Sequence, residues 1–517
     1  MQTSMAQSPL VGRSLWLARL AVLLCLGLMV ADRWLILDQF GFRQVDDDQA
    51  IMWSGAEEMA QGHYHEPCFY GQRYSTMLEG WVAVPLLWMG VGHDRAVPLM
   101  TSVLTLFPFL LLAGALVRKR QWAMAAFVLA FPVTLPPEFG MVSSMPRGFV
   151  SGIFLASLAV LPLFSQCRIF FALSPFFAVL ALFANPNAAL VLAPAWLLIL
   201  LENYAQRRLY LLGLLGAVPA AVLYYLGHRF YELRPHYQVH FPWPLSFKSE
   251  SIRWSSISQY LDDVAPFLWG KGPVVLLLLG MLAVGFGIRR QWKPLAAVLA
   301  GTALLVISFG VNKVHDGIPS VFYPWSRMFL GVPFLIALLA AQWKGRLLWQ
   351  AALAMPLLAG GFLAFKGATL SQSIERQLDP HQEKNLFVME VAKLKEHCAS
   401  IAEVAKAQHA ELVVVGTHPT KHLTNYGCPC LQAEFPETLE PQLDRRTWHL
   451  QTYAPKVVPT VLFAGYWEET FAEQLKLHPG LVKVNQEPLL YVLKGNTLPT
   501  MVLLDSLNLS MRRVVGE

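Results

Sequence analysis

The sequence predicts an α-helical polytopic membrane protein of about 11 transmembrane helices, followed by a C-terminal α/β domain outside the bilayer. Three observations predict it. Apolar residues make up 55% of the 517 and charged residues only 14%, against roughly 25% charged in a soluble chain. Apolar stretches near the ~20 residues that a helix needs to cross the hydrocarbon core recur through the first two thirds of the chain. The loops between them alternate, basic and then not basic. Mean hydropathy is +0.43. The net charge of +6 is therefore a topology signal, because Lys and Arg set membrane orientation. Nucleic acid is not an expected partner; the lipid bilayer is.

The first apolar run, Leu15 to Val30, extends to Leu37 across Asp32 and Arg33 and follows Arg13. It is longer than the core of a signal peptide, and Met29-Val30-Ala31 is a weak cleavage match, so an uncleaved anchor is expected. Counting that run as 14–37, the others fall near 95–117, 122–136, 148–164, 169–184, 188–201, 209–227, 273–288, 294–311, 326–342 and 347–365. Asn185-Pro186-Asn187 breaks the pattern and reads as the turn of a re-entrant pair. Arg13, Arg118-Lys119-Arg120, Arg168, Arg207-Arg208, Arg289-Arg290 with Lys293, and Lys344 with Arg346 all fall on one side. That side is expected to be cytoplasmic. The other side, the periplasm if this is a bacterial inner membrane, receives four loops. They are 38–94, Pro136 to Arg147, 228–272, and Asn312 to Trp325.

The expected membrane unit is 1–365, and 366–517 should form a domain on the same outer side. Residues 411–416 and 489–493 read as strands. Residues 383–408 read as an amphipathic helix. Cys68, Cys398, Cys428 and Cys430 lie on the outer side, where disulfides persist. Cys428-Pro429-Cys430 is too cramped for an internal bridge. Two readings stay open: Cys398 bridges one of them, or Cys428, Cys430, His418 and His422 hold a metal at a spacing that matches no standard zinc pattern.

Just after the first span the chain reads Asp46-Asp47-Asp48-Gln49, with helical spacing up to Ala60 and a stop at Gly62. Three adjacent carboxylates repel one another. A helix N-terminus tolerates them, so a capped surface helix without chemistry is one reading and a catalytic cluster the other. Glu79 then opens Trp81 to Gly92, too short to span and rich in interfacial residues.

This arrangement resembles the membrane-embedded glycosyltransferases of the GT-C fold, which include the protein O-mannosyltransferases and the aminoarabinose transferases of lipid A. In that family the first outer loop opens with an Asp-Glu or Asp-Asp pair. A helix ending in Gly follows, and then a second acid before an interfacial helix. Asp47-Asp48, Gly62 and Glu79 match this pattern, and the string from Tyr70 to Glu79 is similar to a subset of bacterial members. The pair's second residue is usually Glu in the family and is Asp48 here, and the triplet leaves the register open by one. The likeness spans 14–365 in layout but only 44–90 in motif.

The resemblance implies inverting transfer of a sugar from a polyprenyl-phosphate-linked donor to a glycan, lipid or protein acceptor. Asp47 or Asp48 would be the general base, and Glu79 would orient acceptor or sugar. Asp46, Tyr70, Gln72 and Tyr74 are substrate-binding candidates beside them. A phosphate leaving group needs positive charge, for which Arg73, Arg147 and Arg327 are the outer-facing candidates. Glu138 is a further member of the acidic cluster, and His315 is either a substrate contact or part of a solvated turn. A divalent cation, Mg or Mn, held by the carboxylates is the alternative to a base. A transporter or lipid flippase is the competing function, and would need an ionisable path through the spans.

Overall fold

The structure, a computed structural model, describes residues 12–512 apart from 166, 204–206, 240–245, 265–266, 270–271, 316, 319, 344–348, 385–387, 417–419, 467–470, 472, 474–477 and 479. Lys344, Arg346 and His418 lie outside the described residues. The expected apolar stretches are helical. Helix α1 (Gly12–Ile36) runs on through a π turn, Leu37–Gly41. Strand β1 (Gln44–Asp46) and helices α2 (Asp47–Ala60) and α3 (Leu78–Trp88) form the loop that follows. Then come α4 (His93–Arg118), α5 (Trp122–Ala130), α6 (Pro137–Val142), α7 (Ser151–Ala159), α8 (Arg168–Ala184), α9 (Ala189–Asn203) and α10 (Arg207–Leu233). The series ends with α11 (Trp254–Val264), α12 (Pro273–Ile288), α13 (Trp292–Ser308), α14 (Val332–Ala340) and α15 (Trp349–Lys384).

Among the described residues, five segments are long and apolar enough to cross a membrane unaided: Leu15–Gly41, His93–Arg118, Pro186–Asn203, Leu211–Leu233 and Ala351–Asp379. The other apolar helices are shorter, 10–17 residues. Two of them, α5 and α7, give way to 3₁₀ turns that contain Pro132 and Pro162, since proline removes a helical donor. Helix α4 fixes the polarity of the bundle. Its 26 residues rise about 39 Å, with the acidic loop at its start and Arg118 in its last turn. The acidic loop and the basic turn at Arg118 therefore stand at opposite ends of α4.

The helices share one apolar core. Small buried residues let α1, α5 and α15 approach closely: Ala18, Ala21 and Cys25 on α1, Ala125 and Ala126 on α5, Ala352 and Ala359 on α15. The expected domain boundary at Lys366 falls inside α15, which continues to Lys384. Lys366 does not mark a helix end. It is buried, and its Nζ lies 2.7 Å from Asp32 Oδ1 on α1. A paired charge looks like an end of hydrophobicity in sequence but sits within the packing.

The tail begins with β2 (Val388–Glu390) and α16 (Val391–Gln408), so the helix expected from 383 starts later. Strand β2 pairs antiparallel with β1, placing Asp46 opposite Val388. Strands β3 (Leu412–Val415), β4 (Glu437–Leu439), β5 (Thr460–Ala464), β6 (Leu481–Asn485) and β7 (Leu490–Lys494) form a sheet in the order β4-β3-β5-β7-β6. Strand β3 is parallel to both neighbours, and its run Leu-Val-Val-Val feeds two cores. Leu412 and Val414 face one and Val413 and Val415 the other, as a strand buried on both faces requires. A disulfide joins Cys398 to Cys428, the first residue of α17 (Cys428–Leu431). This removes Cys428 from the proposed metal set, while Cys430 stays a thiol.

Removing one partner of a buried ion pair strands the other. Lys366→Ala is expected to destabilise the protein by about 3–5 kcal/mol. The double change Asp32→Asn with Lys366→Met should recover most of that loss, as read from thermal unfolding in detergent.

Candidate active site

Asp46, Asp47 and Asp48 occupy successive positions at the start of α2. Successive helical side chains diverge by about 100°, so the three carboxylates point to three different cations. Asp46 is the N-cap, and its Oδ1 accepts the Gln49 N–H at 3.0 Å. Its Oδ2 meets Arg147. Asp47 Oδ2 accepts from His422 Nδ1 at 3.0 Å. Asp48 Oδ1 lies 3.5 Å from Arg445 Nη1, a longer and more exposed contact. The helix closes as its sequence asks: α2 ends at Ala60 and Gly62 takes φ +85°, a left-handed conformation that glycine adopts without strain.

Arg147 is 7% exposed, and its Nε and Nη1 are buried without a hydrogen-bond partner. Burial, and then the like charge of Arg327, pull its guanidinium down to about 9. Arg327 is also buried, with its guanidinium 4.2 Å from the Tyr323 ring centre and Nη1 donating to the Pro324 carbonyl at 2.9 Å. Tyr74 senses the charges of Asp48, Arg445 and Arg327, which puts it in the same cluster.

Glu79 holds the turn that presents Arg147. Its side chain is fully buried, and Oε2 accepts the Gly148 N–H at 2.8 Å. Ser151 Oγ stands 3.4 Å from Oε1. Burial raises this carboxyl to about 7, against the pull of backbone N–H groups at Gly148, Val150 and Arg147 and of the Ser151 hydroxyl. Gly148 has φ +77°, and a Cβ there would stand 3.0 Å from the Thr76 carbonyl. Asn185, at the break between α8 and α9, braces the same turn: its Nδ2 donates to the Gly148 carbonyl at 3.1 Å and to Ser75 Oγ at 3.2 Å. Glu79 is thus placed to position Arg147, a different task from orienting a sugar directly.

The tail supplies what the sequence reading of the loop missed. His422 Nε2 stands 3.2 Å from Glu440 Oε2, and Glu440 Oε1 lies 2.9 Å from Lys421 Nζ. Asp47, His422, Glu440 and Lys421 form a chain of alternating charge. Burial opposes a charge on His422, but the hydrogen bonds and fields of Asp47 and Glu440 raise it to about 9. Asp444 fixes the backbone beneath Arg445 through Arg446 and Asn425. Burial works against its charge, yet Arg446 holds that carboxyl well below the usual range. The available signal was the adjacent cations Lys421-His422 and Arg445-Arg446, opposite in sign to the triplet.

Other candidates lie apart. Tyr70 is buried in the seam between loop and tail, its ring 4.5 Å from that of Trp448, on α18 (Thr447–Tyr453). Gln72 is buried in the same turn, and Arg73 is exposed near His228. Glu138, at the start of α6, faces Arg376 and Lys366. His315 Nε2 lies 2.8 Å from the Phe309 carbonyl and its ring sits 4.0 Å from Tyr260.

The raised His422 value sets a pH dependence. Its contribution is complete below its ordinary value of 6.5 and is lost as pH rises through about 9. Stability is expected to fall over that window by an amount on the order of 3 kcal/mol, read as a lower thermal midpoint, and His422→Gln should lack this component.

No family model matches the chain, and no curated protein matches it. Solved structures do. ArnT from Cupriavidus metallidurans in the apo state is 13% identical, over 91% of this chain and 97% of that one, with a TM-score of 0.55. ArnT from the same organism bound to undecaprenyl phosphate is 13% identical, over 90% and 97%, with a TM-score of 0.53. The likeness runs along nearly the whole of both chains, and on it this chain has the GT-C fold.

Proposed function

We propose that the protein is an integral-membrane inverting glycosyltransferase, acting on the periplasmic face of a bacterial inner membrane with a polyprenyl-phosphate-linked sugar. The observation that carries this reading is Arg147. A buried guanidinium with two unpartnered nitrogens, beside a second buried arginine, is costly unless an anion completes it. A phosphate suits that geometry, because guanidinium binds it through paired N–H groups. The undecaprenyl phosphate bound in the ArnT structure supports the same ligand class.

Asp47 is the base this reading favours. Its Oδ2 is held by His422, while Oδ1 is buried and has no hydrogen-bond partner. Asp46 has both oxygens engaged, and Asp48 faces Arg445. Asp47 takes the proton of an acceptor hydroxyl as the acceptor oxygen bonds to the anomeric carbon. The bond from that carbon to the phosphate oxygen breaks, and the lipid phosphate leaves with the electron pair. Arg147 and Arg327 stabilise the charge it carries away. Each aspartate already meets a protein cation, and among the described residues they form no three-ligand group, so the donor set does not suit Mg²⁺ or Mn²⁺. Among the described residues of the spans, Asp32 pairs with Lys366 and Arg33 donates to Ser143, which gives the transporter reading no support.

The test is sugar transfer in membranes, with donor and product identified by mass analysis of lipid-linked and surface glycans with and without the protein. Asp47→Asn is expected to lower transfer by roughly 10²–10⁴-fold and Arg147→Ala by roughly 10²–10³-fold. Chelation of Mg²⁺ and Mn²⁺ should leave the rate unchanged. Full activity in Asp47→Asn would remove the assigned base. Unaltered glycans in cells lacking the protein would remove the function.

A further inference from the structure

A second polar cluster sits at the far end of α2, apart from the aspartates. The last turn of the helix carries Glu58, and the chain reverses at Gly62, where His63 N–H donates to the Glu58 carbonyl at 2.8 Å. The reversal brings two imidazoles back onto one carboxylate oxygen. His63 Nδ1 is 3.2 Å and His65 Nε2 3.0 Å from Glu58 Oε2. All three candidate ligand atoms lie within 4.8 Å of one another.

The geometry points to a metal site formed by Glu58, His63 and His65 that takes a divalent transition metal, best matched by Zn²⁺. Ligands about 2.0–2.1 Å from a tetrahedral zinc stand roughly 3.3 Å apart, close to the two separations found here. Two imidazoles and a carboxylate suit zinc and its neighbours better than Mg²⁺ or Ca²⁺, which prefer oxygen. Without metal, both imidazoles must present protons to the same oxygen; an ion at the centre replaces those protons. His63 is exposed, which leaves the fourth position to water.

The supporting shell is already ordered. The His65 ring stacks on Trp448 of the tail at 3.9 Å with 6° between planes. Trp88 Nε1 donates to the Ala60 carbonyl at 2.9 Å, fixing the end of α2. A bound ion would therefore tie the end of α2 to the tail through His65 and Trp448. Its effect would be mechanical, since α2 carries the three aspartates at its other end.

Untagged full-length protein in detergent, stripped of metal and titrated with Zn²⁺, tests this. One zinc per chain is expected at this site, with a higher thermal midpoint in the loaded form. His63→Ala, which alters an exposed side chain, should retain the metal-free midpoint of the parent protein, and the pair His63→Ala with His65→Ala should lie at that midpoint or just below it. Both should lose zinc affinity by more than the roughly 10–100-fold that outer-shell changes cost. Co²⁺ in place of Zn²⁺ should give visible absorption that the double variant lacks. Zinc binding of equal affinity and stoichiometry in His63→Ala, or none in the parent protein, would overturn the site.

Discussion

Three carboxylates at positions 46, 47 and 48 cannot share one environment. At the close spacing of adjacent side chains, in a partly buried setting, their mutual repulsion is large unless each meets its own positive charge. The structure meets that constraint by bringing three segments to one helix end. Arg147 comes from the turn before α7, His422 from the tail, and Arg445 from further along the tail. The rest follows from where those cations must stand. Glu79, Gly148 and Asn185 shape the turn that delivers Arg147, and Asp444 with Arg446 shapes the one that delivers Arg445.

The electrostatic solution needs a packing solution beneath it. The loop after α1 does not close a core alone. Ala50, Ile51, Trp53, Tyr70 and Met77 of the loop share one cluster with Val391, Leu394, Leu423 and Tyr426 of the tail. The β1–β2 pair runs through the same seam, and the Cys398–Cys428 bridge holds its tail side. The tail is thus part of the site, although its sheet has cores of its own. Burial at the seam also strengthens each ion pair, because charges shielded from water interact through a lower effective dielectric.

Much of the fold was legible because membrane helices obey a length and polarity rule that leaves its mark on every span. The apolar stretches became helices, and the strands at 412–415 and 490–494 appeared where alternation placed them. The misses share a cause. Lys366 reads as the end of a span because sequence shows its charge and hides Asp32, its partner 334 positions away. His422 with Cys428 reads as half a metal site because nothing local reveals that Cys428 is bridged to Cys398.

The sequence by itself determined that the chain belongs in a membrane, that an acidic helix start follows the first span, and that Gly62 and Glu79 frame it. Those are local facts, set by composition, periodicity and the needs of a helix terminus. Only the tertiary structure decided which groups surround each acid. Asp46 is engaged by Arg147, Asp47 keeps one oxygen without a partner, and Glu79 shapes a turn instead of facing the cluster. The physical reason is that a carboxylate's role depends on which cations and N–H groups surround it. Here those groups come from residues up to 397 positions distant, beyond anything that local spacing records.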